Sequence, residues 1–217
     1  MLFLRKTVSC PISYQSIPLS TPLEDLTFVV FDTETTGFNV GADDRLIEIG
    51  AVTIRGLEVY EDEYFQTYVN PQRTISQEIT DLTSITQEKV ENAPKAIEAI
   101  NEFFEFIQMH EAASLVGHYV SFDGLVLKNE LKRADRSLKG MYAIDTLDLI
   151  GHIAPSYDMR DLERYAMAFG TRIYERHNAL GDARTTAYLF AELLRHFKDR
   201  GGSTWGELIN VTNRNGG

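Results

Sequence analysis

The chain has 217 residues, 43% hydrophobic and 24% charged, which fits one globular domain with a sizeable core. A formal net charge of −11 argues against a protein that coats long nucleic-acid duplexes, because an acidic surface repels phosphates. The single cysteine, Cys10, excludes an internal disulfide and points to a reducing, cytoplasmic setting. No apolar run is long enough to predict a transmembrane helix, and the start MLFLRKTV lacks the apolar stretch of a secretory signal, so no membrane partner is expected.

Residues 1–25 contain Pro11, Pro18 and Pro22 and show no period, so they read as an N-terminal extension. Thr27–Thr33 is an apolar strand. Leu46–Arg55 and Val59–Val69 follow, separated by a turn at Arg55-Gly56, and the three predict an antiparallel meander. Ile97, Ile100, Phe104 and Ile107 recur at helical spacing and predict a helix over Pro94–Met109, with Pro94 in its first turn. A short buried strand over Ser114–Gly117 precedes a helix over Ser121–Ala134. Another short strand, Met141–Ile144, leads into a helix ending near Ile153. Asp158 is placed to cap a helix carrying Leu162, Tyr165, Ala166 and Phe169, which Gly170 ends. The last helix runs from about Gly181 to Arg200, and 201–217 reads as a tail with Trp205 as an anchor. This order predicts an α/β domain over 26–200, built on a mixed five-stranded sheet of three antiparallel strands then two parallel ones, flanked by helices.

Five polar residues stand at informative places in that order. Asp32 and Glu34 lie two apart at the end of the first apolar strand, so alternation sends both carboxylates to one face. Such a pair repels unless a cation joins it, and hard oxygen donors suit Mg²⁺ or Mn²⁺. In a chain with 32 acidic residues, an ordinary exposed acid pair is the bland alternative. Thr35, Thr36 and Gly37 weigh against it, because Gly37 permits a sharp exit and the threonines offer donors to a phosphate or sugar. Asp123 falls in the first turn of a helix, where the helix dipole alone would favour an acid. His177 precedes Asp182 by five residues across an irregular Asn-Ala-Leu-Gly segment, which suits a general base on a mobile loop beside a fixed acid. His110, His118, His152 and His196 read as ordinary histidines, with His118 standing near the proposed site. Phe122 reads as core. Tyr60, Tyr64 and Tyr68 share one strand face, which reads as a face covered by a helix in preference to a nucleic-acid platform.

The motifs FDTETTG, LIEIGAV, GHYVSFD, DTLDL and HNALGDA together resemble the DEDDh branch of the DnaQ-like 3′–5′ exonucleases, over about Phe28 to Phe197. Within it the chain is similar to the proofreading epsilon subunit of bacterial DNA polymerase III and its free-standing relatives. The tyrosine branch would need a tyrosine four residues before the last aspartate, where this chain has Asn178. The resemblance implies a ribonuclease H-like fold, with two divalent metals held by Asp32, Glu34, Asp123 and Asp182. It implies that Asp32 bridges them, that Asp123 acts mainly through water, and that His177 is the general base. The resemblance implies substrate contacts from Glu78 and Thr83 to the terminal sugar and from Leu82 to its base, and Thr35 adds a donor for a phosphate or sugar. Two positions depart from the family pattern. Thr83-Ser84 stands where His-Gly is frequent, and Tyr119 stands at a usual asparagine. Tyr119 reads as packing outward in preference to stacking on a base.

The reading is a metal-dependent 3′–5′ exonuclease releasing nucleoside 5′-monophosphates from single-stranded DNA 3′ ends. A DNA polymerase is a partner the resemblance implies, although no polymerase-binding segment is evident after Phe197. The alternatives are a 3′–5′ exoribonuclease trimming RNA or short oligonucleotides, a hydrolase of free nucleotides, and a non-catalytic interaction module.

Overall fold

The computed structural model describes residues 5–156 and 159–212. Strand β1 (Lys6–Ser9) is followed by a 3-10 turn at Leu23–Asp25. The meander comes next as β2 (Thr27–Thr35), β3 (Leu46–Arg55) and β4 (Glu58–Tyr68). Two short helices, α1 (Gln77–Thr83) and α2 (Gln87–Glu91), lead into α3 (Ala96–Met109). Then follow β5 (Ser114–Gly117), α4 (Val120–Arg133), β6 (Arg136–Lys139) and β7 (Ala143–Asp145). Four helices close the order: α5 (Thr146–Ile153), α6 (Leu162–Ala168), α7 (Ala179–Asp199) and α8 (Trp205–Thr212).

The main sheet has strand order β4-β3-β2-β5-β7. The β2–β3 and β3–β4 pairs are antiparallel, and the β2–β5 and β5–β7 pairs are parallel. The central strand β2 is covered on both faces, which is why it reads as a continuous apolar run. Phe28 and Val30 point into a core with α5, α7 and α8, whereas Val29 and Phe31 point into a core with α3 and α4. Among the described residues no helix is long and apolar enough to cross a membrane.

Several elements differ from the sequence-based expectation. Pro94 lies before α3 and not inside it. Lys95 is the N-cap, and its N–H donates to the Glu98 carboxylate at 2.9 Å, which sets the helix start at Ala96, two residues later. Asp158 lies outside the described residues. The cap of α6 is Asp161, whose carboxylate accepts from the Arg164 N–H at 2.9 Å. The segment after Gly201 is helical in its described part, and Trp205 is fully buried against Tyr14 at 5.0 Å between ring centroids. Within 5–25, β1 pairs in parallel with β6, and the Trp205 backbone N–H donates to the Thr21 carbonyl at 2.8 Å, so this segment is tied both to β6 and to the start of α8. The tyrosines of β4 do not share one face, because a register shift between Val52 and Thr53 pairs Tyr64 with Val52 and Tyr60 with Thr53, residues on opposite faces of β3. Tyr60 and Tyr64 remain 42% and 50% exposed, because β4 is the sheet edge. The guanidiniums of Arg55 and Arg184 sit over their rings at 5.0 and 5.2 Å.

Candidate active site

Asp32 and Glu34 leave β2 on the same face, opposite Gly50 and Glu48 of β3. A β-bulge between Glu34 and Thr35 ends the regular pairing there. Gly50 has no side chain for a strict reason. A Cβ there would lie 2.2 Å from the backbone nitrogen of Leu180, so only glycine lets the start of α7 rest on the sheet. Glu48 is fully buried and secures the same contact. Its carboxylate accepts from the Ala179 N–H at 3.0 Å and from Gln66 Nε2 at 2.7 Å. Asn178 caps α7 by accepting from the Gly181 N–H at 2.9 Å. These contacts deliver Asp182, in the first turn of α7, onto Asp32 and Glu34. Ligand oxygens of the three carboxylates all lie within 4.8 Å of one another.

Clustering raises the proton affinity of each acid. Burial, then the charges of Asp123, Asp182 and Glu34, push Asp32 well above the usual carboxylate range. Burial, then Asp182 and Glu48, push Glu34 up to about 8. Burial raises Asp182 as well, although Arg176 opposes it. The guanidinium of Arg176 donates to the Asp182 carboxylate and is the nearest cation to the trio on the cleft wall. Three converging carboxylates that resist ionisation alone fit a divalent cation of the hard, oxygen-seeking kind.

Asp123 sits beside the trio but outside the group of oxygens within 4.8 Å. Its Oδ1 accepts from the Thr33 N–H at 2.9 Å and the Thr33 hydroxyl at 2.6 Å. Burial still raises it to about 7. His177 is exposed in the turn before α7, with φ of 58°. Its N–H donates to Asp182 Oδ2 at 3.2 Å, so the backbone that carries the imidazole is tied to the acid.

A cleft of about 330 Å³ holds Asp32, Glu34, Asp182 and His177, together with Thr35, Leu82 and Thr83. Leu82 is 46% exposed. The Thr35 hydroxyl donates to the Gly37 carbonyl at 2.7 Å. The Thr83 hydroxyl is engaged inside α1 and its exit, donating to Ile79 at 2.8 Å and accepting from Ile85 at 3.2 Å. Glu78 is exposed on the first turn of α1 and does not line the cleft. A larger cavity, about 690 Å³ between α4, β7 and α5, carries Asp145 and Asp148 but none of the trio.

Sequence reasoning passed over several residues at this cleft. Phe38 is 88% exposed at the rim, with its ring 5.9 Å from the part-buried Phe122. Its place directly after Gly37 was the available signal. Arg176 and Arg160 carry no local pattern and reach the cleft only through folding. His118 also lines the cleft, with Nδ1 bonded to the Thr146 hydroxyl at 2.7 Å and Nε2 buried without a hydrogen-bond partner among the described residues. Burial lowers its pKa to about 4, so it is neutral.

The mixed five-stranded sheet and the carboxylates grouped at the end of its central strand agree with a DnaQ-like exonuclease. A family model described as exonuclease matches residues 29–190. The chain belongs to this exonuclease family. It is 35% identical over 184 residues to a PolC-type DNA polymerase III of Caldanaerobacter subterraneus, covering 85% of this chain and 13% of that protein. It is 32% identical over 191 residues to the PolC-type polymerase of Staphylococcus epidermidis, covering 88% of this chain and again 13% of the polymerase. The chain therefore spans only about an eighth of the length of these relatives. In fold it is similar to exonuclease X in complex with 5′ overhanging duplex DNA, with a TM-score of 0.63 and 21% identity over 85% of this chain and 99% of that one. It is also similar to the nuclease domain of 3′hExo, a DEDDh family member bound to rAMP, with a TM-score of 0.71 and 18% identity over 78% and 92%.

Proposed function

We propose that the protein is a metal-dependent exonuclease that removes nucleoside 5′-monophosphates from single-stranded DNA 3′ ends. The observation that carries this reading is the convergence of Asp32, Glu34 and Asp182 within 4.8 Å in an open cleft. Two divalent ions, Mg²⁺ or Mn²⁺, would lower the pKa of the attacking water and stabilise charge on the attacking and leaving oxygens. Asp32, Glu34 and Asp182 would hold them, with Asp123 beside the trio as a further carboxylate.

His177 is assigned as the general base that takes the proton from the attacking water. Its exposed turn, tied to Asp182 through the backbone N–H, supports that role. Leu82 and Phe38 offer exposed apolar surface for the terminal base. Thr35 and Thr83 line the same cleft and are assigned as contacts to the phosphate or sugar. We take 26–200 as the exonuclease domain. DNA is the proposed substrate because the relatives above 30% identity are DNA polymerases, and a polymerase is the proposed partner for the same reason. The buried free thiol of Cys10 agrees with a reducing, cytoplasmic setting.

The test is incubation with 5′-labelled single-stranded DNA and RNA in Mg²⁺, Mn²⁺ or EDTA. The expected result is a DNA ladder shortening from the 3′ end, abolished by EDTA. Preferential shortening of RNA would move the substrate to RNA. No cleavage of either polymer in any metal would overturn the reading in favour of a binding module. Asp32→Ala is expected to abolish turnover. His177→Ala is expected to lower turnover by about 10²–10⁴-fold while Mn²⁺ still binds.

A further inference from the structure

The segment between α6 and α7 has no regular secondary structure over 171–175, yet from Tyr174 onward it is laid along the first turns of α7. The Tyr174 N–H donates to the Thr185 hydroxyl at 3.0 Å, and that hydroxyl donates to the Gly181 carbonyl at 2.9 Å. The Glu175 carbonyl rests on Gly181, where a Cβ would come within 2.1 Å of its oxygen. The His177 N–H reaches Asp182 Oδ2 at 3.2 Å. Residues 174–177 therefore form a strip that descends α7 from Thr185 to Asp182, with the imidazole of His177 at its cleft end.

The other end of the strip is anchored by rings and guanidiniums. Arg184 and Tyr188 stand four positions apart on one face of α7. The Tyr174 ring meets both: its centroid is 5.8 Å from the Arg184 guanidinium and 6.0 Å from the Tyr188 ring, which stacks on it at an interplanar angle of 19°. The edge strand β4 closes the cluster from outside. The Arg184 guanidinium also covers Tyr64 at 5.2 Å and donates to the Glu61 carbonyl at 3.3 Å. The Glu61 carboxylate accepts from Arg172 at 2.9 Å and from the Tyr188 hydroxyl.

We propose that Tyr174, held by Arg184 and Tyr188, is a positioning residue for His177; this rests on the reading of His177 as the general base. A general base works only within hydrogen-bond reach of the proton it takes. Yet the His177 imidazole makes no hydrogen bond among the described residues, and its backbone sits at φ of 58°, a conformation that needs support from its surroundings. Its aim is therefore set by the strip, whose largest side-chain anchor is the Tyr174 ring. The carboxylates do not depend on that anchor. Asp32 and Glu34 are carried by β2 and Asp182 by α7 itself, so loosening the strip displaces the base and leaves the metal-binding acids where they are.

The experiment is a double-mutant cycle between Tyr174 and His177, read as kcat and KM for cleavage of 5′-labelled single-stranded DNA in Mn²⁺, with a calorimetric Mn²⁺ titration of each protein. Tyr174→Ala is expected to lower kcat by about 10–100-fold while KM and Mn²⁺ affinity stay within about twofold. Tyr174→Phe keeps the ring and is expected to stay within about twofold of the wild type. In protein that already carries His177→Ala, Tyr174→Ala is expected to change the rate by less than about twofold, because no base is left to position. Arg184→Gln is expected to follow the same pattern with a smaller loss, and it takes the place of Tyr174→Ala in the cycle if that variant does not fold. An equal loss of kcat with and without His177 would overturn the positioning role and leave the nuclease reading intact. So would an unchanged kcat, or a Mn²⁺ affinity that falls together with kcat. Wild-type turnover in His177→Ala would overturn the general-base reading, and the positioning role with it.

Discussion

The guanidinium of Arg176 donates to the carboxylate of Asp182, at the edge of the trio formed with Asp32 and Glu34. Arg176 directly precedes His177 and stands on the cleft wall. It therefore supplies the positive charge that three converging carboxylates demand when nothing else does. A divalent ion seeking Asp182 has to displace this donor.

Arg176→Ala should accordingly bind Mn²⁺ more tightly than the wild type. A partly exposed ion pair is worth up to ~1 kcal/mol, so the gain is about fivefold at most. The metal-free variant should also melt at a lower temperature, because the acids lose their counter-ion. Calorimetric titration and a thermal melt in EDTA check both, and weaker Mn²⁺ binding would show that Arg176 helps to hold the ion.

The raised carboxylates predict a pH dependence with a definite sign. Glu34 moves from an ordinary value of 4.5 to about 8, and Asp123 from 3.8 to about 7. The metal-free fold thus prefers them protonated. Their contribution to stability is complete below the ordinary values and is lost as pH rises through about 7 to 8. The melting temperature in EDTA should fall between pH 5 and pH 8.5, and Glu34→Gln should flatten that fall. Metal binding should release protons near neutral pH, read as a dependence of the apparent heat on buffer ionisation.

Gly50→Ala tests how Asp182 is delivered. The new Cβ would lie 2.2 Å from Leu180 N, in backbone that cannot yield without moving α7. The cost in stability is expected to be ~1–3 kcal/mol. Turnover should fall about a hundredfold or more, since a displacement near 1 Å is enough for that. Denaturant unfolding and the nuclease assay separate the two effects. Normal turnover would mean that the start of α7 adjusts without disturbing Asp182.

Trp205→Ala tests whether the segment after Gly201 belongs to the folded unit. Trp205 is fully buried among Tyr14, Phe28 and its neighbours, so its removal should cost ~3–5 kcal/mol. Trp205→Phe should cost less. A change below ~1 kcal/mol in Trp205→Ala would indicate that the segment is peripheral to stability.

The five-stranded topology was legible because its signals are local. The apolar run of Thr27–Thr35, the turn at Gly56 and the periodic face of Ala96–Met109 each declare an element within a few residues. The second sheet was not legible. Lys6–Ser9 and Arg136–Lys139 are short, mostly unburied and free of alternation, and only their pairing makes them strands. Tyr60 and Tyr64 misled for a related reason, since alternation assumes a regular strand, and the register shift that puts them on opposite faces of edge strand β4 appears only in its pairing with β3.

The same division runs through the site. Sequence alone places Asp32 and Glu34 on one face, Asp123 at a helix start and His177 ahead of Asp182, because strand alternation and helix signals act over a few residues. Their convergence depends on contacts between distant parts of the chain. Glu48 takes the Ala179 N–H across 131 positions, and the bare backbone of Gly50 lets α7 settle onto the sheet. Likewise, nothing near Arg176 or Arg160 in sequence says that one bonds to Asp182 and the other lines the acid cleft. Local rules determine which groups exist and which way they point within an element. Long-range packing decides which of them meet, because electrostatic and hydrogen-bonding energies depend on distances that only the folded chain defines.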